Sequence, residues 1–153
     1  MPERPFQPDN QINIVSGQYR TPPYVILLMD DEQSIIEPYG KLLEMKGYIV
    51  YTAYDGEQAV AVCREVISTQ HRVDVAVIDL TIPEGMGGLE TVVRIKEIDP
   101  DIRAIASTGH FRECLTDEYK KHGFVGILPK PYVLKELIEA IEWAIRMEKN
   151  NPE

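Results

Sequence analysis

Short apolar runs alternate with longer amphipathic stretches along most of this 153-residue sequence, and this alternation constrains the fold more than any other feature. The runs are rich in Val, Ile and Leu without every-second-residue alternation, which indicates strands buried on both faces of a parallel sheet. The stretches between them repeat apolar residues at helical spacing. Five βα units are therefore predicted, and the right-handed crossover rule packs them as a three-layer α/β sandwich. The predicted strands are residues 24–29, 48–54, 73–78, 102–107 and 125–128.

The first 23 residues differ from the rest of the chain. They contain five of the eleven prolines, many polar residues and one short apolar patch. Such a composition is typical of a segment without a packed core. We therefore expect a proline-rich leader over residues 1–23, a single domain over residues 24–149 and a short tail over residues 150–153.

Composition and charge argue against several classes of function. Sixteen Lys and Arg against twenty-five Asp and Glu give a formal charge of -9, which would repel nucleic-acid phosphates and anionic membrane surfaces. The apolar runs fall far short of the roughly 20 residues of a membrane span, and no secretory signal is visible. Cys63 and Cys114 have neither metal-site nor disulfide-framework spacing. We therefore expect a cytoplasmic domain whose partners are neither nucleic acid nor membrane.

Polar side chains follow four of the five predicted strands. Asp30 and Asp31 follow the first, Asp79 the third, Thr108 the fourth and Lys130 the fifth. In open α/β sheets, ligands bind outside the carboxyl ends of the strands, where the strand order reverses. If these strands are adjacent, three carboxylates, a hydroxyl and an ammonium group converge on one edge of the sheet.

Three carboxylates at close range need a cation beside them. Each close pair is destabilised by about 4 kcal/mol at an effective dielectric constant of about 20. Carboxylate oxygens with open coordination positions suit Mg²⁺, and a lysine supplies a further positive charge. Because phosphoryl transfer depends mainly on positioning and charge neutralisation, this set of groups points to that reaction, with a carboxylate as the nucleophile.

Four motifs resemble the receiver domain of two-component response regulators, the CheY-like superfamily. They are LLMDDEQSI, VDVAVIDLTIPEGMGG, AIASTGH and GILPKPY, with 48 residues from Asp31 to Asp79, 29 more to Thr108 and 22 more to Lys130. The resemblance covers residues 24–148. It implies a flavodoxin-like, doubly wound (βα)5 fold whose five-stranded parallel sheet has the order 2-1-3-4-5, counting the predicted strands along the chain.

The resemblance implies a chemical role for three of the strand-end residues. Asp79 is the expected phospho-acceptor, Thr108 the switch hydroxyl that closes on the phosphoryl group, and Lys130 the ammonium that pairs with it. Thr81 and His110 lie at the positions where the family tunes self-dephosphorylation. We therefore expect this pair to set the lifetime of the phosphoryl group by controlling the access of water.

The same resemblance implies a set of Mg²⁺ ligands. Asp31 is expected to bind the ion directly and Asp30 to hold it through water. Asp79 and the backbone carbonyl of Thr81 would complete the protein ligands. Mg²⁺ is thus the expected cofactor.

Two positions near the fifth predicted strand bear on the switch. The family usually has an aromatic residue three positions before the lysine, and here that position is Ile127. Rotation of an aromatic ring coupled to the switch hydroxyl therefore cannot operate in the usual way. Pro131, directly after the lysine, is expected to follow a cis peptide bond, as is common in the family.

The resemblance implies a signalling phospho-acceptor that promotes its own phosphorylation and dephosphorylation, rather than an enzyme with a separate substrate. The donor would be the phosphohistidine of a sensor histidine kinase or of a histidine phosphotransfer protein. The output would be contact with a downstream protein, and a homodimer is left open. Since few residues follow the last predicted helix, no output domain is expected within this sequence.

Three alternatives stay open at this point. A degenerate receiver would act as a phosphorylation-independent interaction module, which Ile127 favours and the complete set of acidic, hydroxyl and lysine residues opposes. A receiver cut from a hybrid histidine kinase is suggested by the loop after Asp79, which is one residue longer than the commonest form. A flavodoxin-type electron carrier would use the same sheet, but Asp30 and Asp31 would repel the flavin phosphate.

Overall fold

The computed structural model describes residues 7–8, 22–82, 86–109 and 118–147. Within these ranges, none of the helices is both long and apolar enough to cross a lipid bilayer. The strands are β1 (Gln7–Pro8), β2 (Val25–Met29), β3 (Ile49–Ala53), β4 (Val75–Asp79), β5 (Arg103–Thr108) and β6 (Phe124–Pro129). The helices are α1 (Gln33–Met45), α2 (Gly56–Ser68), α3 (Gly88–Ile98), α4 (Glu118–His122) and α5 (Leu134–Arg146).

Five parallel strands form most of the sheet, in the order β3-β2-β4-β5-β6. This is the predicted order 2-1-3-4-5, so the fold prediction is confirmed. Every residue of β2, β4 and β6 is buried, which explains why their sequences are continuous apolar runs. The direction of winding reverses between β2 and β4, so the carboxyl ends of these strands border the crevice where such sheets bind ligands.

Helices cover both faces of the sheet and make a three-layer sandwich. On one face α2 and α3 contribute buried residues such as Cys63 and Ile95. On the other face α1 and α5 contribute residues such as Leu43 and Ile141. Since burying a side chain of this size contributes about 1.5–3 kcal/mol, these two cores hold the strand ends in fixed positions.

The sheet also has a sixth strand, which the sequence analysis does not predict. Gln7 pairs with Ile127 and Pro8 with Gly126, so that β1 lies antiparallel to β6 at the edge of the sheet. Residues 7–8 of the predicted leader therefore contact the edge of the sheet, and the expected domain bounds stay a prediction. Strand pairing at an edge uses main-chain groups, so a polar, proline-rich segment can form it without an apolar pattern.

Candidate functional site

The chain topology brings the predicted site residues to one edge of the sheet. Asp79 and Thr108 are the last residues of β4 and β5, while Asp30 and Lys130 directly follow β2 and β6. These four strands are neighbours in parallel orientation. Their carboxyl ends therefore meet, as the sequence predicts.

Three carboxylates form a compact acidic cluster at this edge. One oxygen from each of Asp30, Asp31 and Asp79 lies within 4.8 Å of the others. Asp30 and Asp79 are each 1% exposed, whereas Asp31 is exposed. The cluster is thus buried on the side of the sheet and open on the side of Asp31.

The Lys130 ammonium contacts both buried carboxylates. Its Nζ atom lies 2.7 Å from Asp30 Oδ2 and 3.2 Å from Asp79 Oδ2. Burial acts to lower the pKa of Lys130, but the hydrogen bond to Asp30 and the charges of both carboxylates outweigh it and raise this pKa above its usual value. Lys130 therefore stays protonated and neutralises part of the acidic cluster.

Burial is also the main influence on Asp30. It raises the pKa of this carboxyl above its ordinary value, against the hydrogen bonds from Lys130 and from the Glu32 N–H, and the charge of Asp79 raises it further. The Glu32 N–H donates to Asp30 Oδ1 at 2.9 Å. Burial therefore disfavours the ionised form of Asp30 by more than its hydrogen bonds favour it.

Thr81 holds the Asp79 carboxylate from the other side. Its N–H and its hydroxyl donate to Asp79 Oδ1 at 3.0 and 2.9 Å, respectively. From the sequence, Thr81 is expected to offer its backbone carbonyl to Mg²⁺ and to tune the phosphoryl lifetime, but this pair of hydrogen bonds is not predicted. Their effect is to fix the orientation of the carboxylate.

Main-chain bonds connect the strand ends that carry the remaining site residues. The Lys130 N–H donates to the main-chain carbonyl oxygen of Thr108 at 2.9 Å, and Thr108 is 1% exposed. Ile127 is also 1% exposed, and the peptide bond before Pro131 is cis. His110 lies outside the described residues.

Two tyrosines near the site have no role in the sequence analysis. The Tyr39 hydroxyl donates to the main-chain oxygen of Tyr132 at 2.9 Å. These residues are 93 positions apart, so no local pattern could have indicated the contact. Both line a cavity of about 560 Å³ between α1 and the loop after β6. Its other lining residues are Glu32, Ser34, Ile35, Pro38, Gly109, Lys130 and Pro131.

The donor set of the acidic cluster fits a hard divalent cation. Three carboxylates carry three negative charges, and Lys130 supplies one positive charge in contact with two of them. Oxygen ligands on an open-sided site are what Mg²⁺ prefers, because it retains water or phosphate oxygens in its coordination shell. Asp30, Asp31 and Asp79 are therefore suitable ligands.

Comparison with known proteins identifies the class. Residues 26–142 match the family model of the response regulator receiver domain. The chain therefore belongs to this family of two-component signalling domains. Receiver domains are signalling phospho-acceptors that interact with sensor kinases and phosphotransfer proteins.

Individual relatives agree with this assignment. Sporulation initiation phosphotransferase F of Bacillus subtilis is 30% identical over 125 residues, which cover 82% of this chain and 96% of that protein. The crystal structure of a response regulator receiver domain protein from Clostridium thermocellum has a TM-score of 0.68 at 30% identity, covering 80% of this chain and 94% of that chain.

A more distant structure shares the fold. It is a response regulator from Burkholderia pseudomallei with a phosphorylated aspartic acid, a calcium ion and citrate, and it has a TM-score of 0.67 at 21% identity. The match covers 77% of this chain and 66% of that chain. Other curated relatives are longer, and this chain spans about half of their length.

Proposed function

We propose that this chain accepts a phosphoryl group on Asp79 within a two-component phosphorelay. The observation that carries the proposal is the buried Asp79 carboxylate beside Asp30 and Asp31, with the Lys130 ammonium 3.2 Å away. Membership of the receiver family supports the same role. So does the phosphorylated aspartic acid in the Burkholderia pseudomallei relative.

The proposed step is an exchange of bonds at phosphorus. An Asp79 oxygen forms the new P–O bond while the P–N bond of a phosphohistidine breaks. The histidine ring leaves with the electron pair of that bond and takes up a proton. Thr81 orients the carboxylate through its two hydrogen bonds, Lys130 balances negative charge, and the Thr108 hydroxyl binds the phosphoryl oxygens after transfer.

Asp31, Asp79 and the backbone carbonyl of Thr81 are the proposed direct Mg²⁺ ligands, and Asp30 would hold the ion through water. The excess negative charge of the cluster and its open side at Asp31 support this assignment. When bound, Mg²⁺ would neutralise the negative charge that builds up on the transferring phosphoryl group. The calcium ion in the Burkholderia pseudomallei structure shows that a relative with this fold contains a divalent cation.

Thr81 and His110 are proposed to set how long the phosphoryl group persists. The Thr81 hydroxyl touches Asp79 Oδ1 and could therefore shield the acyl phosphate from water. Replacing His110 by Ala should change the rate of decay of the phosphorylated protein. Equal decay rates in the variant and the wild type would contradict this assignment.

The proposed donor is a sensor histidine kinase or a histidine phosphotransfer protein. The cavity next to Lys130, lined by Ile35, Pro38 and Tyr132 among others, gives such a protein an apolar surface beside the acceptor. The output would be contact with a downstream protein, and the setting the cytoplasm. Ile127 favours an output that does not depend on an aromatic ring at that position.

The decisive experiment is the intact mass of the protein after incubation with Mg²⁺ and acetyl phosphate. Wild type should gain one phosphoryl group and Asp79→Asn none. Asp55→Asn is a matched control, because Asp55 caps α2 by accepting from the Gln58 N–H and asparagine caps equally well. It should gain the group as the wild type does. If wild type gains nothing while a control receiver reacts, the chain is an interaction module.

A further inference from the structure

A hydrogen bond links helix α1 to the loop that carries Lys130. The Tyr39 hydroxyl on α1 donates to the main-chain carbonyl oxygen of Tyr132 at 2.9 Å, and the centroids of the two tyrosine rings are 5.7 Å apart. Helix α1 begins shortly after Asp31, and Tyr132 comes shortly after Lys130. The bond therefore joins the segment that follows the acidic residues to the segment that follows the lysine.

The Tyr39 bond holds the middle of a loop whose two ends are fixed by other bonds. At one end the Lys130 N–H donates to the main-chain carbonyl oxygen of Thr108 at 2.9 Å. At the other end the Val133 N–H donates to a side chain in the first turn of α5 at 3.0 Å. Pro131 lies between them and has no N–H to donate. The Tyr39 hydroxyl thus holds the loop by a side-chain hydrogen bond, at a point where the loop's backbone has one N–H donor fewer.

The position of this loop determines where the lysine ammonium can reach. Lys130 Nζ lies 2.7 Å from Asp30 Oδ2 and 3.2 Å from Asp79 Oδ2. Lysine is a point charge on a flexible four-carbon stem, without the fixed geometry of a guanidinium group. Keeping the ammonium on both carboxylates therefore requires that its main chain be held in place.

We propose that Tyr39 is a positioning residue that, through the Tyr132 carbonyl, holds the Lys130 ammonium over Asp30 and Asp79. This inference rests on the proposed phospho-acceptor function. Without the bond, the ammonium spends less time on the carboxylates, so phosphoryl uptake slows. Mg²⁺ and the ammonium are attracted to the same carboxylates, so the affinity for Mg²⁺ rises when the ammonium is held there less of the time.

Tyr39→Phe tests the proposal because it removes the hydroxyl and keeps the ring. We expect the rate of phosphorylation by acetyl phosphate to fall about two- to tenfold, the range that one uncharged hydrogen bond accounts for. The dissociation constant for Mg²⁺, measured by titration calorimetry, should fall as well. Tyr54→Phe is the matched control, since the Tyr54 hydroxyl also bonds to α1, at the exposed Glu37. It should change neither quantity.

A double-mutant cycle shows whether Tyr39 acts through Lys130. In a Lys130→Met background, Tyr39→Phe should leave the Mg²⁺ affinity unchanged. An equal change in both backgrounds would overturn the proposal, as would wild-type rate and affinity in the single Tyr39→Phe variant. If the wild type accepts no phosphoryl group, the proposed function fails, and the Mg²⁺ titrations still decide the role of Tyr39.

Discussion

Replacing Lys130 by Met should destabilise the metal-free protein. The attractions of its ammonium to Asp30 at 2.7 Å and Asp79 at 3.2 Å come to about 6 and about 5 kcal/mol at an effective dielectric constant of about 20. Burial of the three charges offsets most of this, and removing one partner of a buried pair typically costs about 3–5 kcal/mol. Because the Lys130 side chain is still 17% exposed, we expect a loss near the lower end, about 3 kcal/mol.

Mg²⁺ should reverse much of this loss, because the ion supplies positive charge to the same carboxylates. The assay is urea unfolding of wild type and Lys130→Met, each with a chelator and with saturating Mg²⁺. The control is Lys135→Met, at an exposed position on α5, which should change stability by less than about 0.5 kcal/mol. The reasoning fails if Lys130→Met loses no more than the control, or if Mg²⁺ stabilises it less than it stabilises the wild type.

Two further predictions concern packing and pH. Gly56→Ala should lower the free energy of unfolding by about 2–3 kcal/mol in urea titrations, because a Cβ there would lie 2.0 Å from Thr91 Oγ1. Gly87→Ala, whose Cβ meets nothing within 4 Å, should lower it by no more than about 1 kcal/mol, the cost of alanine at the N-cap of α3. Burial raises the pKa of Cys63 from 9.0 to about 12, so the stability that depends on its neutral thiol is present below pH 9 and is lost as the pH rises toward 12. The test uses a Cys114→Ser variant at pH 8, in which Cys63 is the one remaining thiol. A thiol reagent should label Cys63 only as fast as the protein unfolds locally or globally to expose it, and labelling at the rate of a free thiol would contradict this.

The sequence predicts the fold and the convergence of the acidic and lysine residues for the same physical reason. Continuous apolar runs occur where a strand is buried on both faces, and β2 and β4 are buried at every position. Once the strands are parallel and adjacent, whatever follows them must lie at one edge. Asp30, Asp79 and Lys130 could therefore be placed together without any knowledge of side-chain conformations.

The contacts that the sequence does not predict depend on features without a local pattern. The Thr81 hydroxyl bond to Asp79 depends on a side-chain rotamer in a loop. The Tyr39 bond to Tyr132 joins residues 93 positions apart. The pairing of Gln7–Pro8 with β6 is made by main-chain groups, for which side-chain composition gives no signal.

Under the proposed function, Ile127 limits how the charge added at Asp79 is passed to the rest of the domain. Its side chain is 1% exposed and belongs to the core beneath α2 and α3. Moving the Ile127 side chain into solvent would cost about 1.5–3 kcal/mol. An isoleucine also lacks the hydroxyl group that lets a tyrosine ring turn toward water at lower cost. The groups placed to respond are instead Lys130, in direct contact with Asp79, and Thr108, whose carbonyl binds the Lys130 N–H. Because that bond ties the ends of β5 and β6 together, we expect both strand ends to move as one unit, with Ile127 remaining in the core.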